Sequence, residues 1–146
     1  MKPIGHWLHR TDRALTRSMD EMLGPFGLTR IAWQVLNVVQ DASDGAGDSE
    51  VRAVLAAHAE AAVLDAALRS VLADGWADRP APGRLALTSR GRQRLGEAAL
   101  RVEAFREQCT AGISPQEYRT AVHVLERMTR NLEASPSPIP RPSSRP

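Results

Sequence analysis

The chain is poor in sulfur, in rings and in lysine, and each shortage narrows what it can be. Its one cysteine, Cys109, has no partner for an intrachain disulfide, so a reducing, cytoplasmic setting is expected. No group of Cys and His has the spacing of a zinc site, and no metal or other cofactor is expected. Aromatic residues make up 4% of the 146 residues, and Lys2 is the only lysine, so arginine carries nearly all the positive charge. No apolar run approaches the roughly 18 residues that suggest a membrane span. The N-terminus is polar at His6, His9, Arg10 and Asp12, and no signal peptide is expected there. A nucleophile elbow, a phosphate-cradling glycine loop and a recognisable pair of catalytic carboxylates are all missing, which argues against an enzyme.

What remains is a chain of one-domain size, 42% hydrophobic and 25% charged, whose apolar content is mostly alanine and leucine. That composition favours helix. Apolar residues from Ile4 through Trp7, Leu8, Leu15, Met19 and Leu23 keep helical spacing until Gly24-Pro25. Thr29 offers an N-cap for a second helix whose apolar positions wrap most of its circumference, so it should be central. The stretch 41–48, DASDGAGD, reads as a loop. A short helix over about 49–58 and a longer one over about 60–74 follow, the latter stopped by Gly75. Residues 76–79 and 84–87 flank Pro80-Ala81-Pro82-Gly83 as two short strands around a tight turn. Thr88 then caps a helix to about Cys109. Ser114-Pro115-Gln116-Glu117 is a capping box with proline at the first helical position, opening a last helix through Leu132. The segment 135–146, alternating Pro and Ser, is expected to be a disordered tail, with the ordered domain over 1–134.

The fold class is therefore mainly α. A short helix, a turn, a second helix and a hairpin together make the winged helix-turn-helix, which lays its second helix in the DNA major groove. The long apolar stripes of the terminal helices exceed what so small a module can cover, which points to a second copy of the chain.

Three stretches carry a family likeness: GLTRIAWQVLNVV at 27–39, LADGWADR at 72–79 and RLALTSRGRQRL at 84–95. Together with the first helix and the last two, they resemble the MarR family of winged-helix transcriptional regulators over roughly residues 3–133. The resemblance implies a homodimer built by the first helix and the last two, bound to a palindromic double-stranded operator and relieved by a small molecule or an oxidant.

Charge divides unevenly along the chain. Residues 76–94 hold five arginines against Asp78, net +4, whereas residues 41–75 hold two arginines against seven carboxylates, net −5. A basic hairpin followed by an arginine-rich helix start suits phosphate contact. The candidate DNA-binding residues are His58, Arg69, Arg79, Arg84, Arg90 and Arg92. The second helix of the motif is otherwise Ala-rich, with Glu60 and Asp65 as acceptors for cytosine N4. The competing reading, motivated by the acidic segment, is a winged-helix dimer without specific DNA reading that acts in protein interaction or ligand binding. Trp7, Trp33 and Arg13 are candidate lining for a small aromatic or anionic effector, with core packing the alternative for both tryptophans. His6 and His9 lack a third ligand and read as surface histidines, and Cys109 reads as a small packing residue.

Overall fold

The computed structural model describes residues 1–134. The segment 135–146, expected to be a tail, lies outside the described residues. The chain forms two compact units, Met1–Phe105 and the residues from Arg106 onward.

In the first unit α1 spans Ile4–Leu23 and ends in a short 3-10 turn, Gly24–Phe26. Only the C-terminal part of its apolar stripe is covered: Met19 and Leu23 are buried, whereas Ile4, Trp7 and Leu8 are exposed. α2 (Arg30–Asp41) is capped as expected, with Thr29 Oγ1 accepting from Ala32 N at 3.2 Å. Its start is also bound to α1. Arg30 N donates to Asp20 Oδ1 at 2.6 Å, and the Arg30 guanidinium donates to Asp12 at 3.0 Å and Thr16 at 2.8 Å. Ala32, Val35, Leu36 and Val39 bury the α2 face that packs on α3, α4 and the sheet, which makes α2 the central helix.

α3 (Asp48–Leu55) and α4 (Ala61–Ala73) follow, then β2 (Ala77–Asp78) and β3 (Arg84–Leu87). The expected hairpin is present, but the sheet has a third strand. β1 (Ala46–Gly47) lies inside the stretch read as a loop and pairs antiparallel with β3, Ala46 opposite Leu85, giving the order β1-β3-β2. Gly45 at φ +82° turns the chain so that Ala46 is carried into the core, a conformation that L side chains rarely adopt, and a two-residue strand has no periodicity to detect. α3 also stops three residues before the expected end, because His58 N and Ala59 N turn back to the Leu55 carbonyl. Gly75 adopts the left-handed conformation expected of a helix stop, φ +74°.

α5 (Ser89–Cys109) is set against the hairpin by one dense junction. Thr88 Oγ1 donates to the Gly75 carbonyl at 2.7 Å and accepts from Gly91 N at 2.9 Å, while Thr88 N donates to the Trp76 carbonyl at 3.1 Å. Trp76 is 2% exposed, and the Arg94 guanidinium stacks over its ring at 4.8 Å. Gly91 is packed against the Trp76 backbone, so closely that a Cβ there would have no room.

In the second unit, α6 (Pro115–Glu133) begins with the capping box read from sequence: Glu117 N donates to Ser114 Oγ at 3.1 Å and Ser114 N to Glu117 Oε2 at 2.7 Å. The hydrogen bond from the Ser114 amide, and then that of its side chain, lower the Glu117 pKa below the ordinary carboxylate value. Tyr118, Val122 and Leu132 are exposed along this helix.

Candidate nucleic-acid interface

α3, the turn 56–60 and α4 form the helix-turn-helix. Leu64, Ala67, Leu68 and Val71 bury the inner face of α4. Helical spacing then turns Ala62, Ala66, Arg69 and Ala73 outward, and all four are exposed. Asp65, weighed above as a cytosine acceptor, is already engaged in an ion pair with Arg52 of α3. Both side chains are about two-fifths exposed, so solvent screening leaves the pair a modest contribution to stability.

The acidic and basic segments, separate in sequence, meet in the fold. Arg79 donates to Asp48 Oδ1 at 3.0 Å, and that hydrogen bond raises the pKa of a guanidinium that is already always charged. Arg84 Nη2 donates to the Asp44 and Gly45 carbonyls at 2.9 and 3.0 Å. Asp48 N donates in turn to the Gly83 carbonyl at 2.9 Å. The hairpin is thus fastened by two of its own arginines, Arg79 to the start of α3 and Arg84 to the turn before β1. Both guanidiniums remain partly open to solvent, Arg79 with 39% of its side chain exposed.

No protein-family model matches the chain, and no curated protein does. Solved structures do match. The transcriptional regulator PA3341 superposes with a TM-score of 0.76 at 23% identity, covering 91% of this chain and 100% of that one. A MarR-family regulator from Rhodococcus sp. RHA1 gives 0.74 at 20% identity, covering 86% and 91%. The Mycobacterium tuberculosis MarR family protein Rv2887, solved in complex with DNA, gives 0.68 at 24% identity, covering 88% and 98%. The chain has the fold of the MarR-family regulators.

On this MarR fold the sequence candidates divide into two groups. Arg69 on α4, and Arg90 and Arg92 on the first turn of α5, are exposed, and their side chains make no hydrogen bond or ion pair among the described residues. Arg79 and Arg84 are the two that hold the hairpin. His58 lies in the turn before α4, exposed, with Nδ1 3.4 Å from Gln34 Nε2. The effector candidates are spread over two helices. Trp7 is half-exposed on α1, edge-on to His6 at 5.2 Å and 5.9 Å from the Arg10 guanidinium. Trp33 is half-buried on α2 and packs against the core. Arg13 lines two open cavities along α1, one of about 490 Å³ with Asp12, Thr16, Arg17, Asp20 and Glu21, the other of about 560 Å³ with His6, His9, Arg10, Ala14 and Arg17. Neither lining includes either tryptophan.

Sequence reading missed Arg52 and Asp48, the residues that decide which charges stay available. Each acts on a partner far along the chain, Asp65 and Arg79, so no local spacing signals it. Among the described residues no helix is long and apolar enough to cross a membrane.

Proposed function

We propose that this protein is a DNA-binding transcriptional regulator that acts as a homodimer on a palindromic operator. The observation that carries the reading is the set of exposed guanidiniums without a side-chain partner among the described residues, Arg69, Arg90 and Arg92, on a helix-turn-helix and the helix start that follows its wing. Neutralising phosphates and releasing their counterions dominates the affinity of proteins for duplex DNA, and these groups supply that term. Rv2887, of the same fold, has been solved with DNA, which supports the same use here. Dimerisation is supported by exposed apolar side chains on both terminal helices: Ile4, Trp7 and Leu8 on α1, and Tyr118, Val122 and Leu132 on α6. Two reading helices would then address half-sites one helical turn apart, roughly 34–36 Å. A small aromatic or anionic effector acting through Trp7, Arg13 and Trp33 belongs to the same proposal; the basic lining of the Arg13 cavity supports its anionic part alone, both tryptophans lying outside that lining. The chain catalyses no reaction in this reading and works in the cytoplasm.

The test is a gel shift of the purified protein with its own upstream region at low and moderate salt. Saturable, sequence-dependent retention is expected, with an affinity that falls steeply as salt rises. A second reading, a winged-helix dimer that binds a protein or small ligand without reading DNA, is favoured by the engagement of Arg79, Arg84 and Asp65 within the protein. Absence of any retention at low salt would favour it over the first.

A further inference from the structure

The outward face of α4 has almost no hydrogen-bonding chemistry. Asp65 is the one carboxylate within the helix, and Arg52 holds it. Glu60 sits just before the helix at the N-cap position, where a negative charge complements the helix dipole. Ser70 donates to Asp74 at 3.5 Å. The first two turns, the part of such a helix that meets base edges, therefore present the methyl groups of Ala62, Val63 and Ala66, with Val63 48% exposed. Arg69, one turn further on, is the first unengaged donor.

The major groove offers one apolar group to such a surface, the 5-methyl of thymine. We propose that α4 reads thymine methyls through Ala62, Val63 and Ala66, so that the preferred half-site is defined by where its thymines lie and not by bidentate hydrogen bonds to purines. This rests on the DNA-binding reading above and specifies how that same site chooses its sequence. Charge complementarity selects the occupant. The winged module carries Arg69, Arg90 and Arg92 without partners among the described residues, and a polyanion satisfies them while an apolar protein surface would leave them unpaired. The ion pair between Arg52 and Asp65 removes the carboxylate that would otherwise repel the phosphates flanking the groove.

The experiment begins with the full-length protein selecting its site from a pool of random duplexes. Each thymine of the enriched site is then replaced singly by deoxyuridine, which removes the methyl group and keeps every hydrogen-bonding group. Binding is read by fluorescence anisotropy at fixed salt. At one or more thymines in each half-site the affinity is expected to fall about fourfold, the worth of one buried methyl. At such a position Val63→Ala should show a smaller deoxyuridine penalty than the unmodified chain. Because deoxyuridine alters only the DNA, the main readout does not depend on any variant folding. Enrichment of a defined site that tolerates deoxyuridine at every thymine overturns the methyl reading and leaves DNA binding intact. Binding to all duplexes alike has the same meaning. Failure to bind any duplex instead overturns the DNA-binding reading itself, and the methyl reading with it.

Discussion

Two glycines of α5, five residues apart, are expected to respond with opposite sign to the same substitution. At Gly91 an added Cβ would overlap the Trp76 carbonyl group, with the carbonyl carbon at 2.7 Å and Cα at 2.9 Å, whereas ordinary contact begins at 3.4 Å. The obstacle is backbone and cannot swing aside. Relief would need the start of α5 to part from the hairpin, straining the hydrogen bonds from Thr88 N to Trp76 and from Gly91 N to Thr88. Overpacking of this kind costs about 1–3 kcal/mol and a weakened hydrogen bond about 1 kcal/mol more. Against these stands the helix preference for alanine over glycine, about 1 kcal/mol. Gly91→Ala should therefore lose about 1–3 kcal/mol net, lowering the melting temperature by roughly 3–10 °C for a chain of this size. Gly96 is exposed and meets nothing within 4 Å of a Cβ, so Gly96→Ala keeps the propensity gain and should raise the melting temperature by about 3 °C. Thermal unfolding followed by far-UV circular dichroism, at one fixed protein concentration so that association does not shift the midpoint, measures both. A Gly91→Ala chain as stable as the unsubstituted one would refute the close packing of α5 on the hairpin.

Arg90→Ala should reduce the slope of log affinity against log salt by about one phosphate contact while leaving the melting temperature nearly unchanged. Arg84→Ala should weaken DNA binding across all sequences and reduce that slope too, and in addition lower stability, since it gives up the bonds to the Asp44 and Gly45 carbonyls; anisotropy and thermal melts together separate the two effects. Asp65→Asn frees Arg52 at a stability cost of no more than about 1 kcal/mol, and non-specific binding to random duplex should tighten as the face gains positive charge. Glu117 is hydrogen-bonded as a carboxylate, so its lowered pKa contributes stability above the ordinary carboxylate range that is lost as pH falls through the lowered value. Acid melts of Glu117→Gln should lack that part of the decline, and an unchanged acid profile would remove Glu117 from the account.

Helix boundaries were legible where a residue acts on its own neighbours. Thr29, Gly75 and the Ser114 to Glu117 box each do so within three residues or so, and each appears in the structure doing what its position requires. The hairpin was legible for the same reason, from Pro80, Pro82 and Gly83. β1 was not, because its two residues become a strand only through Arg84 and Leu85 of a segment nearly forty residues away. The candidate site divides along the same line. Arginine-rich composition marked the hairpin and the start of α5, but which arginines stay available depends on Asp48, on the carbonyls of Asp44 and Gly45, and on Arg52. Net charge by segment set 41–75 against 76–94 as if they were separate bodies. In the fold, part of the acidic charge serves as the mooring of the basic hairpin, so the contrast between the segments overstated the repulsion that DNA would meet.

That mooring has a mechanical consequence. With Arg79 on Asp48, Arg84 on the turn before β1, Asp48 N on Gly83 and β1 paired to β3, the hairpin and the head of α3 share one set of bonds. A rotation of the helix-turn-helix must carry the wing with it. On the DNA-binding reading proposed above, the module would meet a duplex as a gauge of fixed span between α4 and its wing. Where a sequence had the wrong groove width or curvature, the strain of fitting would then fall on the DNA, and stiff and pliable sequences would be told apart at positions that no side chain touches.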